Sequence, residues 1–333
     1  MRKVWKLLPR KLRNFIYKKM QIAAHSTESL SQERISKKDV EKSLSVIQRR
    51  FPSQTVFFIS DWLDSLPGVV SIGPSFIDKG QGAVYLCALR RISQSEQIAR
   101  EIIRTGGYYF FPMCAHPTAR YFEFDTNAEL VLREAASIPR SHFDALDFEF
   151  IMQAARSVRD LPGKYVEIGT FEGRSAQVLL NYLKKSGTVK DCYFLDTFAG
   201  ITFDTAASSS DAQWFGSHSD SSRNSRKNVG DFLSDFDSFH LVACDIIKDQ
   251  LPQAIDKIAF CNIDVDIYEA YIHALQKVDE RLVPGGIIIC EDFGHAPYVL
   301  GAKLAFDDFM AGGASGRYNF FYVNSGQMIL IKR

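Results

Sequence analysis

The stretch Val166-Glu167-Ile168-Gly169-Thr170-Phe171-Glu172-Gly173-Arg174-Ser175-Ala176 constrains this chain more than any other. It reads as an apolar strand that runs into a glycine-bearing turn and straight on into a helix. A residue without Cβ at the carboxyl end of a parallel strand lets the backbone pass close beneath a ligand, so the pattern predicts a unit that cradles a nucleotide. The next apolar run, Tyr193-Phe194-Leu195, ends in Asp196, and a carboxylate there can accept hydrogen bonds from both hydroxyls of a ribose. The two features in register point to an adenosine-type cofactor.

From Tyr165 onward, strand and helix patterns alternate. Strands are expected at Tyr165–Ile168, Cys192–Leu195, Phe239–Ala243, Ile258–Ile263 and Gly286–Cys290, with helices after Ser175, near Asn224 to Leu233, after Glu269 and after Leu300. Several strands are continuous apolar runs, as required when helices cover both faces of a parallel sheet. The end differs. Tyr318–Val323 and Gln327–Ile331 flank Asn324-Ser325-Gly326 and predict an antiparallel hairpin. The expected fold class is α/β: a doubly wound, Rossmann-like sheet closed by a terminal antiparallel hairpin, the layout of class I methyltransferases.

Three parts are expected in the 333 residues. Residues 1–50 form a basic amphipathic segment and a helix, residues 51–140 a small α/β accessory region, and residues 141–333 the main domain. In the accessory region, strands are expected at Thr55–Ile59, Val69–Ile72 and Ala83–Cys87, followed by a helix over Gln94–Arg104 that Gly106-Gly107 stops. Tyr108-Tyr109-Phe110-Phe111-Pro112 reads as a strand burying aromatics rather than as a sugar platform. His116 has no partner spacing. Lys and Arg crowd the first twenty residues, interleaved with Trp5, Leu7, Leu8 and Phe15, and no acid precedes Glu28. Such a segment suits either peripheral attachment to an anionic membrane face or docking on its own domain.

Bulk properties narrow the partners. A net charge of +1 projects no global field toward nucleic acid, so a nucleic-acid partner is not expected. No run approaches the roughly 20 apolar residues that span a bilayer. The six scattered cysteines form no CxxC pair, which reads as a reducing cytoplasm without a zinc site. The expected location is cytoplasmic, with peripheral contact at the inner membrane face and homo-oligomers left open.

Two further strands end in paired acids, Asp264-Val265-Asp266 and Glu291-Asp292. In a doubly wound sheet these ends share the ligand-binding edge with Gly169. Neighbouring carboxylates raise one another's pKa unless a cation relieves them, and all-oxygen ligation suits Mg²⁺, which can activate a hydroxyl. Between Phe203 and Arg226, a Ser/Asp-rich stretch holding Trp214 and Phe215 is long for a loop and predicts a lid, with His218 inside it.

Glu167-Ile168-Gly169-Thr170-Phe171-Glu172-Gly173, Asp196-Thr197-Phe198-Ala199-Gly200, Asp264-Val265-Asp266-Ile267-Tyr268-Glu269, Pro284-Gly285-Gly286 and Glu291-Asp292-Phe293-Gly294 resemble the motifs of the macrocin O-methyltransferase family. The likeness runs from about Phe143 to the end. It implies an S-adenosylmethionine-dependent, Mg²⁺-dependent O-methyltransferase acting on a sugar hydroxyl of a glycan or glycosylated metabolite, with metal ligation by Asp264, Glu291 and Asp292 and Asp266 as general base. Where the family usually has Asp-Asp, this chain has Glu291-Asp292. Glu167, Gly169 and Gly173 are assigned to the methionine end, with Thr170 and Phe171 in the same turn and Ser175 supporting the carboxylate. Asp196, followed by Thr197, is assigned to the ribose, and Asp245 to the adenine amino group or to a helix cap. His295 is a second candidate base. The competing expectations are a methyltransferase-fold protein acting without metal on another small acceptor, and a non-catalytic cofactor-binding scaffold.

Overall fold

The computed structural model describes residues 35–73, 77, 81–89, 92–112, 121–136, 138, 145–209, 211–219 and 221–333. The basic amino-terminal segment and His116 lie outside them. The chain divides into two compact units, Met1–Glu129 and Leu130–Arg333.

The first unit opens on α1 (Lys37–Arg50), whose start is fixed by a capping box. Ser36 Oγ accepts from the Asp39 amide at 3.3 Å, and Asp39 Oδ2 accepts from the Ser36 amide at 3.0 Å, so two otherwise orphaned donors are satisfied. β1 (Val56–Ser60), β2 (Val70–Ser71), β3 (Val84–Ala88) and, after α2 (Ile92–Arg104), β4 (Tyr108–Phe110) make a parallel sheet in the order β2-β1-β3-β4. α1 buries Val40, Leu44 and Ile47 against Val56, Phe58, Val84 and Leu86, so this helix belongs to the core of the small unit. Ile59, Tyr85, Cys87 and Ile102 pack on the opposite face. The aromatic run Tyr108–Phe110 is an edge strand.

After α3 (Tyr121–Phe124) comes α4 (Thr126–Ala136), within which the boundary between the units falls; α5 (Ala145–Ser157) then leads into the second unit. β5 (Lys164–Ile168), α6 (Arg174–Ser186), β6 (Cys192–Asp196), α7 (Asp204–Ala207), α8 (Ser221–Asn224), α9 (Arg226–Phe232), β7 (Phe239–Ala243), β8 (Ile258–Ile263), α10 (Tyr268–Arg281), β9 (Leu282–Cys290), α11 (Leu300–Ala311), β10 (Tyr318–Tyr322) and β11 (Met328–Lys332) complete it. The seven-stranded sheet has the order β10-β11-β9-β8-β5-β6-β7. β5 through β9 run parallel, and β11 lies antiparallel between β9 and β10, as the hairpin pattern predicts. β9 starts earlier than expected, at Leu282. The Pro284-Gly285-Gly286 segment is taken up in an irregularity where Ile258 faces Leu282 but Phe260 faces Ile287.

Strand order reverses between β5 and β8, since β6 and β7 are added on one side and β8 and β9 on the other. In such a sheet a crevice opens at the carboxyl ends of the strands beside the reversal, which here are Ile168 and Ile263. Every residue of β8 is buried, as expected of a strand sandwiched by helices.

Asp279 of α10 clamps the hairpin. Its carboxylate accepts from Tyr318 Oη at 2.8 Å and Arg317 Nη2 at 2.6 Å, and Lys332 Nζ lies 3.2 Å away. Burial alone would raise this carboxyl, but those three donors outweigh it and hold it below the ordinary value. A depressed folded-state pKa stabilises the fold above the unfolded pKa and loses that effect as pH falls through the folded value. Asp279→Asn is therefore expected to cost about 2 kcal/mol in urea unfolding at pH 7. The deficit against wild type should be full above about pH 4 and shrink below it.

Candidate active site

The turn after β5 is built around one close backbone approach. Gly169 sits at φ +94°, and a Cβ there would lie 1.7 Å from the Asp264 carbonyl oxygen. The glycine is required because the ends of β5 and β8 nearly touch; the Asp264 amide also donates to the Ile168 carbonyl at 2.9 Å. Gly173 N-caps α6 at φ +79° and faces α9, where a Cβ would meet Val229 Cγ1 at 3.0 Å. These glycines bring chain segments together, and the ligand space is their consequence.

That space is a cavity of about 350 Å³, in the range of small-molecule sites. Among the residues expected from sequence, Gly169, Thr170, Phe171, Asp196, Thr197, Asp264, Asp266, Glu291, Asp292 and His295 line it. Glu167, Gly173, Ser175 and Asp245 do not. Glu167 lies beneath the floor, 1% exposed; its Oε2 accepts from Asn262 Nδ2 at 3.5 Å, while Oε1 is buried without a hydrogen-bond partner. Burial raises its carboxyl to about 7, against the opposing effect of Ser175, Asn262 and Thr170. Asp245 is committed to a turn: its Oδ1 accepts from the amides of Ile247 at 3.1 Å and Lys248 at 3.3 Å, and Lys248 Nζ is 3.2 Å from Oδ2. No helix follows Asp245 directly: residues 246–248 form a turn, so the carboxylate closes that turn rather than capping the expected helix. At that strand end, Cys244 and Ile246 line the cavity instead.

Asp196 knits two turns. Oδ2 accepts from the Phe171 amide at 2.8 Å and Oδ1 from the Phe198 amide at 2.7 Å. Both donors belong to residues in the left-handed region, at φ 46° and 55°, as do His218 at 55° and Asp266 at 58°. Strained backbone of this kind costs on the order of 1–3 kcal/mol per residue and gathers where a site demands it.

At the other end of the cavity, Asp264, Asp266 and Asp292 each present a carboxylate oxygen, and these oxygens lie within 4.8 Å of one another. Sequence reasoning groups Asp264 with Glu291 and Asp292, but the carboxylates that converge are Asp264, Asp266 and Asp292. The extra methylene of Glu291 carries its carboxylate toward the hairpin, where Oε2 accepts from Gln327 Nε2 at 2.6 Å. Asp292 Oδ2 accepts from the Asp266 amide at 3.0 Å, which draws Asp266 into the group. Burial, then neighbouring charge, pushes three carboxyls well above their ordinary values: Asp264 beside Glu291 and Asp266, Asp292 beside Asp264 and Asp266, and Glu291 beside Asp147. A divalent cation relieves such repulsion, and a set of three carboxylate oxygens is a hard-cation donor set. His295 is exposed at the mouth.

The segment expected to form a lid folds over the cavity. Its base is pinned by paired backbone bonds, Ile201 N to Ser217 O at 3.0 Å and Gly216 N to Ile201 O at 2.8 Å. Glu172 of the glycine turn meets Arg223 of α8 at 2.5 Å. His218 stands edge-on to Phe171, centroids 4.9 Å apart, with Nδ1 3.7 Å from Asp266 Oδ2. Trp214 lies edge-on to Tyr298 at 4.9 Å. Buried Asp211 accepts from the Tyr268 amide at 2.8 Å, capping α10 from the lid. Glu172, Arg223, Gln327 and Asp211 were not singled out in sequence; each acts through a partner at least 36 residues away, which no local pattern reveals. Asp211→Ala removes both the cap and the lid's seat, and is expected to cost about 1 kcal/mol and to speed limited proteolysis within residues 203–226 several-fold; an unchanged cleavage rate would contradict this seating.

Residues 147–312 match the family model described as Macrocin-O-methyltransferase (TylF). No curated protein matches the sequence. Among solved structures, the O-methyltransferase NovP aligns with a TM-score of 0.51 at 20% identity, over 62% of this chain and 88% of its own. CalS11, a calicheamicin methyltransferase, aligns with a TM-score of 0.46 at 16% identity, over 65% and 95%. The SAH-bound methyltransferase PaMTH1 of Podospora anserina gives 0.39 at 16%, over 63% and 88%. The likeness to NovP is one of fold, the class I methyltransferase sheet with its terminal hairpin.

Proposed function

We propose, from a chain whose residues 147–312 belong to the macrocin O-methyltransferase family and which is an S-adenosylmethionine-dependent O-methyltransferase, that its acceptor is a sugar hydroxyl on a glycan or glycosylated metabolite and that a divalent cation, Mg²⁺ by donor type, assists the transfer. The observation that carries this reading is the convergence of Asp264, Asp266 and Asp292 on the wall of the cavity that the glycine turn opens onto. The sugar as acceptor class is what the resemblance of the sequence motifs to the macrocin O-methyltransferase family implies.

Methyl transfer is an in-line displacement, so the protein's work is to align donor and acceptor, take up a proton and keep water out. The apolar walls of Ile201, Phe203, Cys244 and Ile246 suit a base, Asp196 a ribose, and the turn Gly169–Phe171 the neighbouring sugar and thioether region. Glu167, buried beneath the floor, would serve the methionine end from below by supporting the turn rather than by touching the ligand. Asp264 and Asp292 would hold the cation together with one oxygen of Asp266, and a bound cation would supply Lewis acidity to an acceptor hydroxyl. Asp266 accepts the acceptor's proton, with His218 beside its Oδ2. Trp214 and Tyr298 close the mouth. His295, exposed at the rim, is left the role of an acceptor contact. We assign the first unit an accessory role, and the basic segment before Glu28 would bring the enzyme to an anionic membrane surface.

Isothermal titration with S-adenosylmethionine, with and without Mg²⁺, and turnover on neutral glycosides test this. Asp264→Ala should lower Mg²⁺-dependent turnover at least about 100-fold while leaving the cofactor Kd within about threefold. Unchanged turnover would remove the cation from the reading.

A further inference from the structure

We propose that Arg174 is the counter-ion for the carboxylate at the amino-acid end of the cofactor. The inference rests on the cavity being an S-adenosylmethionine site, and assigns the residue that sets which way round the ligand lies.

Arg174 is the first residue of α6, 4% exposed, and lies on the cavity wall. Its bonds go only to neutral groups: Nη1 donates to Gln177 Oε1 at 2.8 Å and Nη2 to the Ala135 carbonyl. Nε is buried and has no partner. The guanidinium lies over the Phe148 ring, 5.5 Å from its centroid. Among the described residues, no carboxylate forms an ion pair with it, and the only influence on its basicity is burial, which lowers it to about 10. It therefore remains a cation at neutral pH. A buried, protonated arginine without an anion is an expensive arrangement, since desolvation is borne with no Coulombic return.

The surroundings say which anion completes it. No other lysine or arginine lines the described cavity, whereas carboxylates are found from the glycine turn to the far end. Glu172, two residues earlier, is committed to Arg223. A ligand carrying one carboxylate and two cationic centres thus has a single place where its carboxylate is favoured, beside Arg174, and its ammonium and sulfonium groups fall toward the acids. The helix start adds to this: the first turn of α6 has no acidic residue, and Gly173 at the N-cap offers no side-chain acceptor, so its leading amides also await an anion.

The alternative role for Arg174 is purely structural, tying α6 to α4 through Ala135. The two roles separate on ligands that differ only at the amino-acid end. Full-length wild type, Arg174→Gln and Arg174→Lys are titrated calorimetrically with S-adenosylhomocysteine and with 5′-methylthioadenosine, which keeps the nucleoside and thioether but lacks the carboxylate. Arg174→Gln should weaken S-adenosylhomocysteine about tenfold or more and methylthioadenosine less than twofold, and Arg174→Lys should recover most of the loss. Methylthioadenosine binding doubles as the check that a variant is folded. Equal weakening of both ligands in the glutamine and lysine variants, or no weakening of either, would overturn the assignment. Wild type that binds methylthioadenosine and S-adenosylhomocysteine equally well would also overturn it while sparing the adenosine site; wild type that binds neither would overturn the cofactor reading along with it.

Discussion

Repulsion between carboxylates in a shared, desolvated corner is the constraint that organises this molecule. The strand order brings the carboxyl ends of β8 and β9 side by side, and each ends in acids, so Asp264, Asp266, Glu291 and Asp292 meet at one edge. Like charges in that position are tolerated only if something answers them. Part of the answer is local: Gln327 takes Glu291, and the Asp266 amide takes Asp292. The rest is deferred, and the carboxyls stand raised above their ordinary values. The cation proposed above would relieve that repulsion and displace protons as it bound.

The same edge concentrates backbone strain. Among the described residues, four of the five non-glycine residues with positive φ, Phe171, Phe198, His218 and Asp266, sit in or beside the cavity. Both local and distant interactions hold them: Asp196 fixes Phe198 two residues on and Phe171 twenty-five residues back, and the edge contact with Phe171 helps seat His218. Cofactor turn, lid and acidic end thus share residues. His218 of the 203–226 segment touches both Phe171 and Asp266, so displacing that segment would disturb both walls together.

Much of this architecture was legible in sequence because it is written in short-range patterns. Apolar runs, several of them continuous, marked β5 to β9, and Asn324-Ser325-Gly326 marked the hairpin. The acids were found because they end strands, and strand ends of a doubly wound sheet share one edge. What sequence did not give was which acids converge. Glu291 and Asp292 are neighbours in the chain, yet one extra methylene and a glutamine from β11's threshold separate their carboxylates, while Asp266 arrives through a backbone bond. The glycines were read for the right turn and a different reason: Gly169 answers to Asp264's carbonyl and Gly173 to Val229, contacts that exist only once β8 and α9 are in place. Asp245 reads from its neighbours as an adenine contact or a helix cap, whereas in the fold its carboxylate closes a turn that no helix continues.

The central claim is that these carboxylates hold one hard cation. Titration of the protein with Mn²⁺, followed by electron paramagnetic resonance of the free ion, reads this directly, without acceptor or turnover. One site per chain that competes with Mg²⁺, and that Asp292→Asn weakens at least about tenfold, is the predicted result. An absence of stoichiometric binding, or binding that Asp292→Asn leaves untouched, would contradict it.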